Sequence, residues 1–336
     1  MTKIGINGFG RIGRAVLKIA RQSQDIEVVA INDLGDVENL AYLLRYDSVY
    51  GPYGEVVEVK DNSLVVGGDV IKVLQEKDPA SLPWDDLGVD VVVESTGVFT
   101  DVDKAKAHIE GGGAKFVVIS APTKSEHGVT VVLGVNEKDL QGVQVVSNAS
   151  CTTNCVAPMM AVLSEAFGVD KALLATTHAY TATQSIVDGP GGKGDFRRGR
   201  AGAINLIPSS TGAAIAATKT LPDLVGKFDG IAIRVPVPVV SLSDITAVLS
   251  RDVTAQEVNE AFVKASTNPL YRGVIAVTDD EVVSSDFIGD PHSVTIDLQM
   301  TRVVGGNLVK ILGWYDNEWG YSNRLVEQVG AIMKAA

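Results

Sequence analysis

Only two cysteines occur in the 336 residues, Cys151 and Cys155, so no disulfide framework can be built. They lie one helical turn apart, a poor geometry for a bridge without distortion. Long apolar runs are also missing, and no stretch approaches the roughly 20 residues of a bilayer-spanning helix. Positive charge is scarce: 29 lysines and arginines face 41 aspartates and glutamates, a net charge of −12, with a pI near 4.8. Phosphate backbones and anionic membranes repel such a chain, which excludes nucleic acid or membrane as its main partner. The first residues enter a strand at once, with no basic segment leading into an apolar run, so no export signal is expected. The expected setting is reducing and cytoplasmic. Four histidines and two cysteines, without a second compact ligand pair, make a metal site unexpected. No internal repeat or low-complexity tract occurs.

What is present suits a soluble enzyme. The length allows about two domains with sizeable cores. Lys3 to Asn7 reads as a strand, Arg11 to Gln22 as a helix and Glu27 to Asn32 as a second strand. Val56 to Val59, Leu64 to Val66 and Val70 to Leu74 read as a short meander. Val89 to Glu94 and Lys115 to Ile119 are near-continuous apolar runs, as in parallel strands buried on both faces, with a crossover helix over Val102 to Ile109. This alternation predicts an open α/β sheet up to about residue 150. Beyond it, Lys171 to Thr177, Ile231 to Val235, Ser243 to Ser250, Val294 to Met300 and Asn307 to Tyr315 alternate more with polar residues, which predicts a mostly antiparallel sheet covered on one side. Thr254 and Glu257 form a capping-box pattern, and Glu318 to Lys334 is an amphipathic closing helix. The expected fold class is α/β: a Rossmann dinucleotide-binding domain with a parallel sheet, plus an α+β domain on a mostly antiparallel sheet.

Gly8-Phe9-Gly10-Arg11-Ile12-Gly13 follows the first strand and opens a helix, and Asp33 stands 20 residues beyond Gly13 at the end of the next strand. This spacing suits a dinucleotide: glycine backbone and helix N-terminus meet the pyrophosphate, and the carboxylate meets the ribose hydroxyls. Asp33 would repel a 2′-phosphate and no arginine follows it, so the expected cofactor is NAD. Ser95-Thr96-Gly97 and Ser120-Ala121 end later strands at the carboxyl edge, where such sheets hold ligands or simply turn.

A second signal is Ser147 to Cys155, between the strand-like run Val143 to Val146 and the helix-like run Val156 to Phe167. A cysteine at a helix start feels the positive end of the dipole, which favours thiolate, so Cys151 reads as an activated nucleophile. His178, ending the strand Ala172 to Thr177, could take its proton. A thiolate adds to an aldehyde to give a hemithioacetal. Hydride loss then leaves a thioester, which inorganic phosphate can convert to an acyl phosphate. Ser209-Ser210-Thr211-Gly212, before an alanine-rich helix, is a candidate phosphate cradle, with Arg198 and Arg234 as candidate charge partners.

Three stretches carry a family resemblance: Lys3 to Arg14, Ser150-Cys151-Thr152-Thr153-Asn154-Cys155, and Trp314-Tyr315-Asp316-Asn317-Glu318-Trp319-Gly320-Tyr321-Ser322. Together they resemble phosphorylating NAD-dependent glyceraldehyde-3-phosphate dehydrogenase over essentially the whole chain. The resemblance implies Cys151 as nucleophile and His178 as its base. It implies Ser150, Thr152, Thr211 and Gly212 around the attacking phosphate, and Thr181 and Arg234 on the substrate's own phosphate, with Arg198 near both. Arg11, Ile12, Asp33, Lys77, Ser120 and Asn317 would contact NAD, Asn317 at the nicotinamide amide. It further implies a homotetramer in which the loop from about Tyr180 to Arg200 packs near a neighbouring subunit's cofactor site. The implied division is an NAD-binding domain over residues 1–150, a catalytic domain over 151–316, and a C-terminal helix, 317–336, returning to the first domain.

Lys77 departs from the arginine that many members carry, and the glycine-rich piece Gly191 to Gly194 looks slightly long, which affects the correspondence at Arg198. Leu34 and Pro190 differ from the small hydroxyl residue and the serine of photosynthetic NADP-using relatives. The nearest enzymatic alternative is erythrose-4-phosphate dehydrogenase, which releases a free acid. An alternative of another class is a redox sensor switching at Cys151.

Overall fold

A computed structural model describes residues 1–191 and 195–336. Gly192 to Gly194, within the glycine-rich piece, lie outside the described residues. The chain divides into two compact units, one of residues 1–131, 137–149 and 322–336, the other of residues 132–136 and 150–321.

The first unit contains β1 (Thr2–Asn7), α1 (Arg11–Ala20), β2 (Ile26–Asn32), α2 (Val37–Arg45), β3 (Val57–Lys60), β4 (Ser63–Val66), β5 (Asp69–Leu74), β6 (Val91–Glu94), α3 (Val102–Ala105), α4 (Ala107–Glu110), β7 (Phe116–Ile119), β8 (Val129–Thr130) and β9 (Val145–Ser147). They form one sheet in the order β3-β4-β5-β2-β1-β6-β7-β9-β8. From β5 to β8 every pairing is parallel, and only the β3–β4–β5 end is antiparallel. β1 is followed outward by β2 on one side, and the chain later returns to lay β6 on the other. The strand order therefore reverses at β1 and β6, and in open α/β sheets ligands sit at the carboxyl ends beside such a reversal. β6 is buried at every residue, as a strand covered on both faces must be.

Two features go beyond the sequence expectation. Helix α2 was not foreseen, although Val37, Leu40, Ala41 and Leu44 form its buried stripe and the Asp36 side chain caps Asn39 N–H. The expected crossover helix is two short helices meeting at Lys106, just before His108, whose ring is fully buried.

The second unit holds α5 (Cys151–Phe167), β10 (Val169–Ala179), β11 (Ile207–Ser210), α6 (Ala213–Thr220), β12 (Phe228–Val235), β13 (Ser241–Leu249), α7 (Ala255–Thr267), β14 (Ile275–Thr278), β15 (Val294–Val304) and β16 (Leu308–Tyr315), and α8 (Trp319–Ala335) begins in it. The sheet order is β11-β12-β10-β13-β16-β15-β14, antiparallel except at β10–β12 and β14–β15. Burial alternates residue by residue along β13, and α5, α6 and α7 pack on the sheet, so one face is covered by helices, as the polar alternation predicts. The Thr254–Glu257 capping box closes in both directions: Glu257 N–H donates to Thr254 Oγ1 and Thr254 N–H to Glu257 Oε2. No helix among the described residues is long and apolar enough to cross a membrane.

Candidate active site

In the first unit, Asn7, Gly8, Gly10, Asp33, Lys77, Thr96 and Phe99 line a pocket of about 490 Å³, where β1, β2 and β6 end. Each motif glycine has its own reason. Gly8 has φ +93, and a Cβ there would come within 2.7 Å of Thr96 N. A Cβ at Gly13 would collide with the Gly8 carbonyl, so close packing of α1 on the turn needs a bare backbone. At Gly10 a Cβ would meet nothing within 4 Å; it would project into the open space that a pyrophosphate requires. Gly10 precedes α1 with no side-chain cap, and the first N–H groups of a helix lack intrahelical acceptors. Asp33 Oδ2 accepts from Phe9 N–H at 2.7 Å and Oδ1 from Gly35 N–H at 2.8 Å. These bonds aim its carboxylate at the pocket, and lone pairs remain on both oxygens. The residues therefore fit a dinucleotide.

Arg11, Ile12, Ser120 and Asn317 are not among the residues that line this pocket. The Arg11 guanidinium is turned to Asp47 at 2.8 Å and lies over the Tyr50 ring. Arg11 and Ile12 instead begin α1, at the end that attracts anions. Ser120 follows β7, where its N–H donates to the Glu94 carbonyl. Asn317 belongs to the second unit, and its Oδ1 accepts from Ser241 Oγ at 3.0 Å.

In the second unit, Cys151 is the first residue of α5, one turn earlier than the apolar run at Val156 suggests. Ser150 is the N-cap, its Oγ accepting from Thr153 N–H at 3.0 Å. Ala149, just before, has φ 54, a left-handed value uncommon without glycine. Cys151 Sγ lies 3.5 Å from His178 Nε2. β10 presents His178, 4% exposed, and the parallel register with β12 sets Arg234 directly opposite. His178 Nδ1 is 2.7 Å from the Ala179 carbonyl oxygen and 2.8 Å from Arg234 Nη1, which donates to that carbonyl at 2.9 Å. Arg234 only donates, so the tautomer follows its N–H: directed to the carbonyl, it allows the ring proton on Nδ1 and leaves the Nε2 lone pair facing the sulfur. Tyr315 Oη, missed as a site group in the sequence, bridges Thr152 Oγ1 at 2.9 Å and Thr176 Oγ1 at 3.0 Å. Its only sequence signal was membership of the Trp314 segment.

The electrostatics partly oppose the sequence argument. Burial pushes the Cys151 thiol up, against the Arg234 charge and bonds from Thr152 that pull it down. Burial, then Arg234, pushes His178 down to about 3. Before substrate arrives, the proton therefore favours sulfur, and the imidazole is a neutral base.

Two helix starts meet beside this pair. Ser150 Oγ and Thr153 Oγ1 are 2.8 Å apart, and Thr153 Oγ1 donates to the Ala213 carbonyl at the start of α6. Gly212 caps α6 without a side chain and with open space around it; Thr211 Oγ1 accepts from Ala213 N–H. Ser150, Cys151, Thr152, Thr211, Gly212, His178 and Arg234 thus belong to one neighbourhood. Arg198 pairs with Asp195 at 2.9 Å, donates toward the Ser210 carbonyl, and adds its charge to those acting on His178 and Arg234. Thr181 bonds Thr183 and Gln184 just beyond β10. Among the described residues no cluster of histidine, cysteine, aspartate or glutamate could hold a metal.

A unit with a dinucleotide-type parallel sheet, followed by one carrying a thiol against an imidazole, defines a two-domain oxidoreductase. Residues 2–102 match the family model for the glyceraldehyde 3-phosphate dehydrogenase NAD binding domain, and residues 150–317 match the C-terminal domain of the same family. Glyceraldehyde-3-phosphate dehydrogenase of Streptomyces coelicolor is 53% identical over 97% of this chain and 96% of its own. Glyceraldehyde-3-phosphate dehydrogenase 1 of Bacillus cereus is 52% identical over 97% of each, and that of Mycolicibacterium smegmatis 48% over 99% of each. The chain belongs to the glyceraldehyde 3-phosphate dehydrogenase family.

Proposed function

We propose that the protein oxidises D-glyceraldehyde 3-phosphate with NAD and inorganic phosphate to 1,3-bisphosphoglycerate and NADH, in glycolysis or its reversal. The observation that carries this reading is the 3.5 Å approach of Cys151 Sγ to His178 Nε2 at a helix N-terminus. His178 takes the thiol proton as sulfur bonds to the aldehyde carbon, and returns it to the carbonyl oxygen to give a hemithioacetal. When bound, NAD supplies the acceptor for the hydride that leaves this carbon. His178 takes the hydroxyl proton as the thioester forms. A phosphate oxygen then attacks the acyl carbon, the C–S bond breaks, and the departing sulfur recovers its proton from His178. In this reading Ser150, Thr152, Thr211 and Gly212 hold the attacking phosphate, Thr181 and Arg234 hold the substrate's, and Arg198 stands near both. Gly8, Gly10, Arg11, Ile12, Gly13, Asp33, Lys77, Ser120 and Asn317 hold NAD. Rapid NADH formation from glyceraldehyde 3-phosphate, collapsing when phosphate is omitted, is the expected result. Equal turnover without phosphate, or faster turnover of erythrose 4-phosphate, would count against it.

NAD is preferred over NADP because a 2′-phosphate would meet the Asp33 carboxylate. Asp33→Gly is expected to lower that preference by roughly tenfold or more, the scale of one charged hydrogen bond. The ratio of kcat/KM for the two cofactors measures it, and an unchanged ratio would move selectivity elsewhere.

We read residues 1–150 as the NAD-binding domain, 151–316 as the catalytic domain and 317–336 as a helix returning to the first; the grouping of residues 322–336 with the first unit supports that return. A homotetramer is proposed as well. Leu173 at 66% and Ile231 at 52% exposure, with a mostly apolar hollow of about 640 Å³ lined by Leu173, Ile215, Val248 and Leu308, favour burial against further copies. A cytoplasmic location agrees with both cysteines being free thiols.

A further inference from the structure

Beneath the nucleotide pocket lies a buried pair that the reaction above does not use. Glu94, 1% exposed, ends β6, and His108, 0% exposed, stands on α4. Trp84 Nε1 lies 3.0 Å from His108 Nδ1. An indole N–H only donates, so Nδ1 is the acceptor and the ring proton sits on Nε2. Nε2–H then donates to Glu94 Oε2 at 3.1 Å. The same oxygen accepts from Asn7 Nδ2 at 2.5 Å, and Oε1 accepts from Thr96 N–H at 2.9 Å and from the Thr96 hydroxyl. Asn7 Oδ1 in turn accepts from Asn32 Nδ2 at 2.7 Å, and Asn32 Oδ1 from Glu76 N–H at 2.8 Å. The His108 ring also meets Phe99 edge-on, 6.4 Å between centroids. Asn7, Asn32, Glu76, Thr96 and Phe99 all line the nucleotide pocket. Glu94 and His108 do not. Thr96 is also the residue whose N–H leaves no room for a Cβ at Gly8.

We infer that Glu94 and His108 are positioning residues for NAD: one carboxylate, oriented by a histidine whose tautomer Trp84 imposes, sets the pocket walls from below. The inference rests on the reading of this pocket as the NAD site. A carboxylate suits the position because four donors converge on two oxygens. In Glu94→Gln the amide NH2 must face either Asn7 and His108, which loses two bonds, or Thr96, whose hydroxyl can turn to accept but whose N–H loses its acceptor, so at least one bond is lost in either orientation.

The test is NAD binding to the full-length protein by titration calorimetry without aldehyde, alongside steady-state kinetics. Glu94→Gln and His108→Leu are expected to weaken NAD binding and raise its KM by roughly ten- to hundredfold. At saturating NAD, kcat should change by less than about threefold, because the reacting groups are untouched. His108→Gln, whose amide can both accept from Trp84 and donate to Glu94, should restore most of the affinity lost in His108→Leu. A folded Glu94→Gln with wild-type NAD affinity overturns the inference. If that variant does not fold, wild-type affinity in His108→Leu overturns it, as does failure of His108→Gln to bind better than His108→Leu. Binding is read without turnover, so a wild-type chain that binds NAD but leaves the triose phosphate unoxidised counts against the reaction and not against this inference.

Discussion

Cys151→Ser should abolish dehydrogenase turnover, by at least about a thousandfold, while NAD binds as before. A serine hydroxyl keeps the size of the side chain and the cap at the start of α5 but is almost never ionised near neutral pH. It therefore forms neither the hemithioacetal nor the thioester. The binding half is spared because Gly8, Gly10 and Asp33 line a pocket in the other unit. Calorimetry with NAD and an NADH-formation assay measure the two halves separately. Retained turnover in the serine variant would remove Cys151 from the proposed role. In the wild-type protein quenched during turnover with phosphate omitted, mass analysis should find the acyl group on Cys151.

The second large effect is expected at His178. Its Nε2, the proposed proton acceptor, lies 3.5 Å from the sulfur, so His178→Asn should cost about 10²- to 10⁴-fold in kcat, the usual worth of a positioned general base. The pH profile adds a signature. The imidazole is pushed down to about 3 and is neutral across the ordinary assay range, whereas burial pushes the thiol up. Thiol reactivity should therefore rise with pH as sulfur loses its proton. In the asparagine variant reactivity below that rise should fall, because no neighbouring base takes the proton as sulfur attacks. The rate of Cys151 alkylation against pH, compared between the two proteins, measures the loss. An unmoved curve would argue that His178 does not receive the proton.

The dinucleotide site was the more legible half of this molecule. Gly8, Gly10, Gly13 and Asp33 lie within one strand–helix–strand unit, and local geometry along such a unit is set by short-range sterics. Their spacing therefore carries the meaning by itself. Cys151 was legible for the same reason, since Ser150 and the run after it announce a helix start. Arg234 was nameable as a charge partner, but its place opposite His178 follows from the β10–β12 register, which no local pattern states. Tyr315 and the Glu94–His108 pair were not legible as working groups. Each joins residues tens to more than a hundred positions apart, as in the bonds of Tyr315 to Thr152 and of Glu94 to Asn7.

The thiol illustrates the difference in sign as well as in position. Read along the chain, a cysteine at a helix N-terminus gains acidity from the dipole. In the folded unit the sulfur is also withdrawn from water, and desolvation acts against the thiolate. By itself the sequence determined the two-part α/β architecture and the NAD-type turn and pointed to Cys151 as the candidate nucleophile, because each is written in neighbouring residues. The tertiary structure alone decided how His178 and Arg234 meet the sulfur and which buried carboxylate stands behind the nucleotide pocket. Contacts between distant segments depend on strand register and burial, and both exist only once the chain has folded.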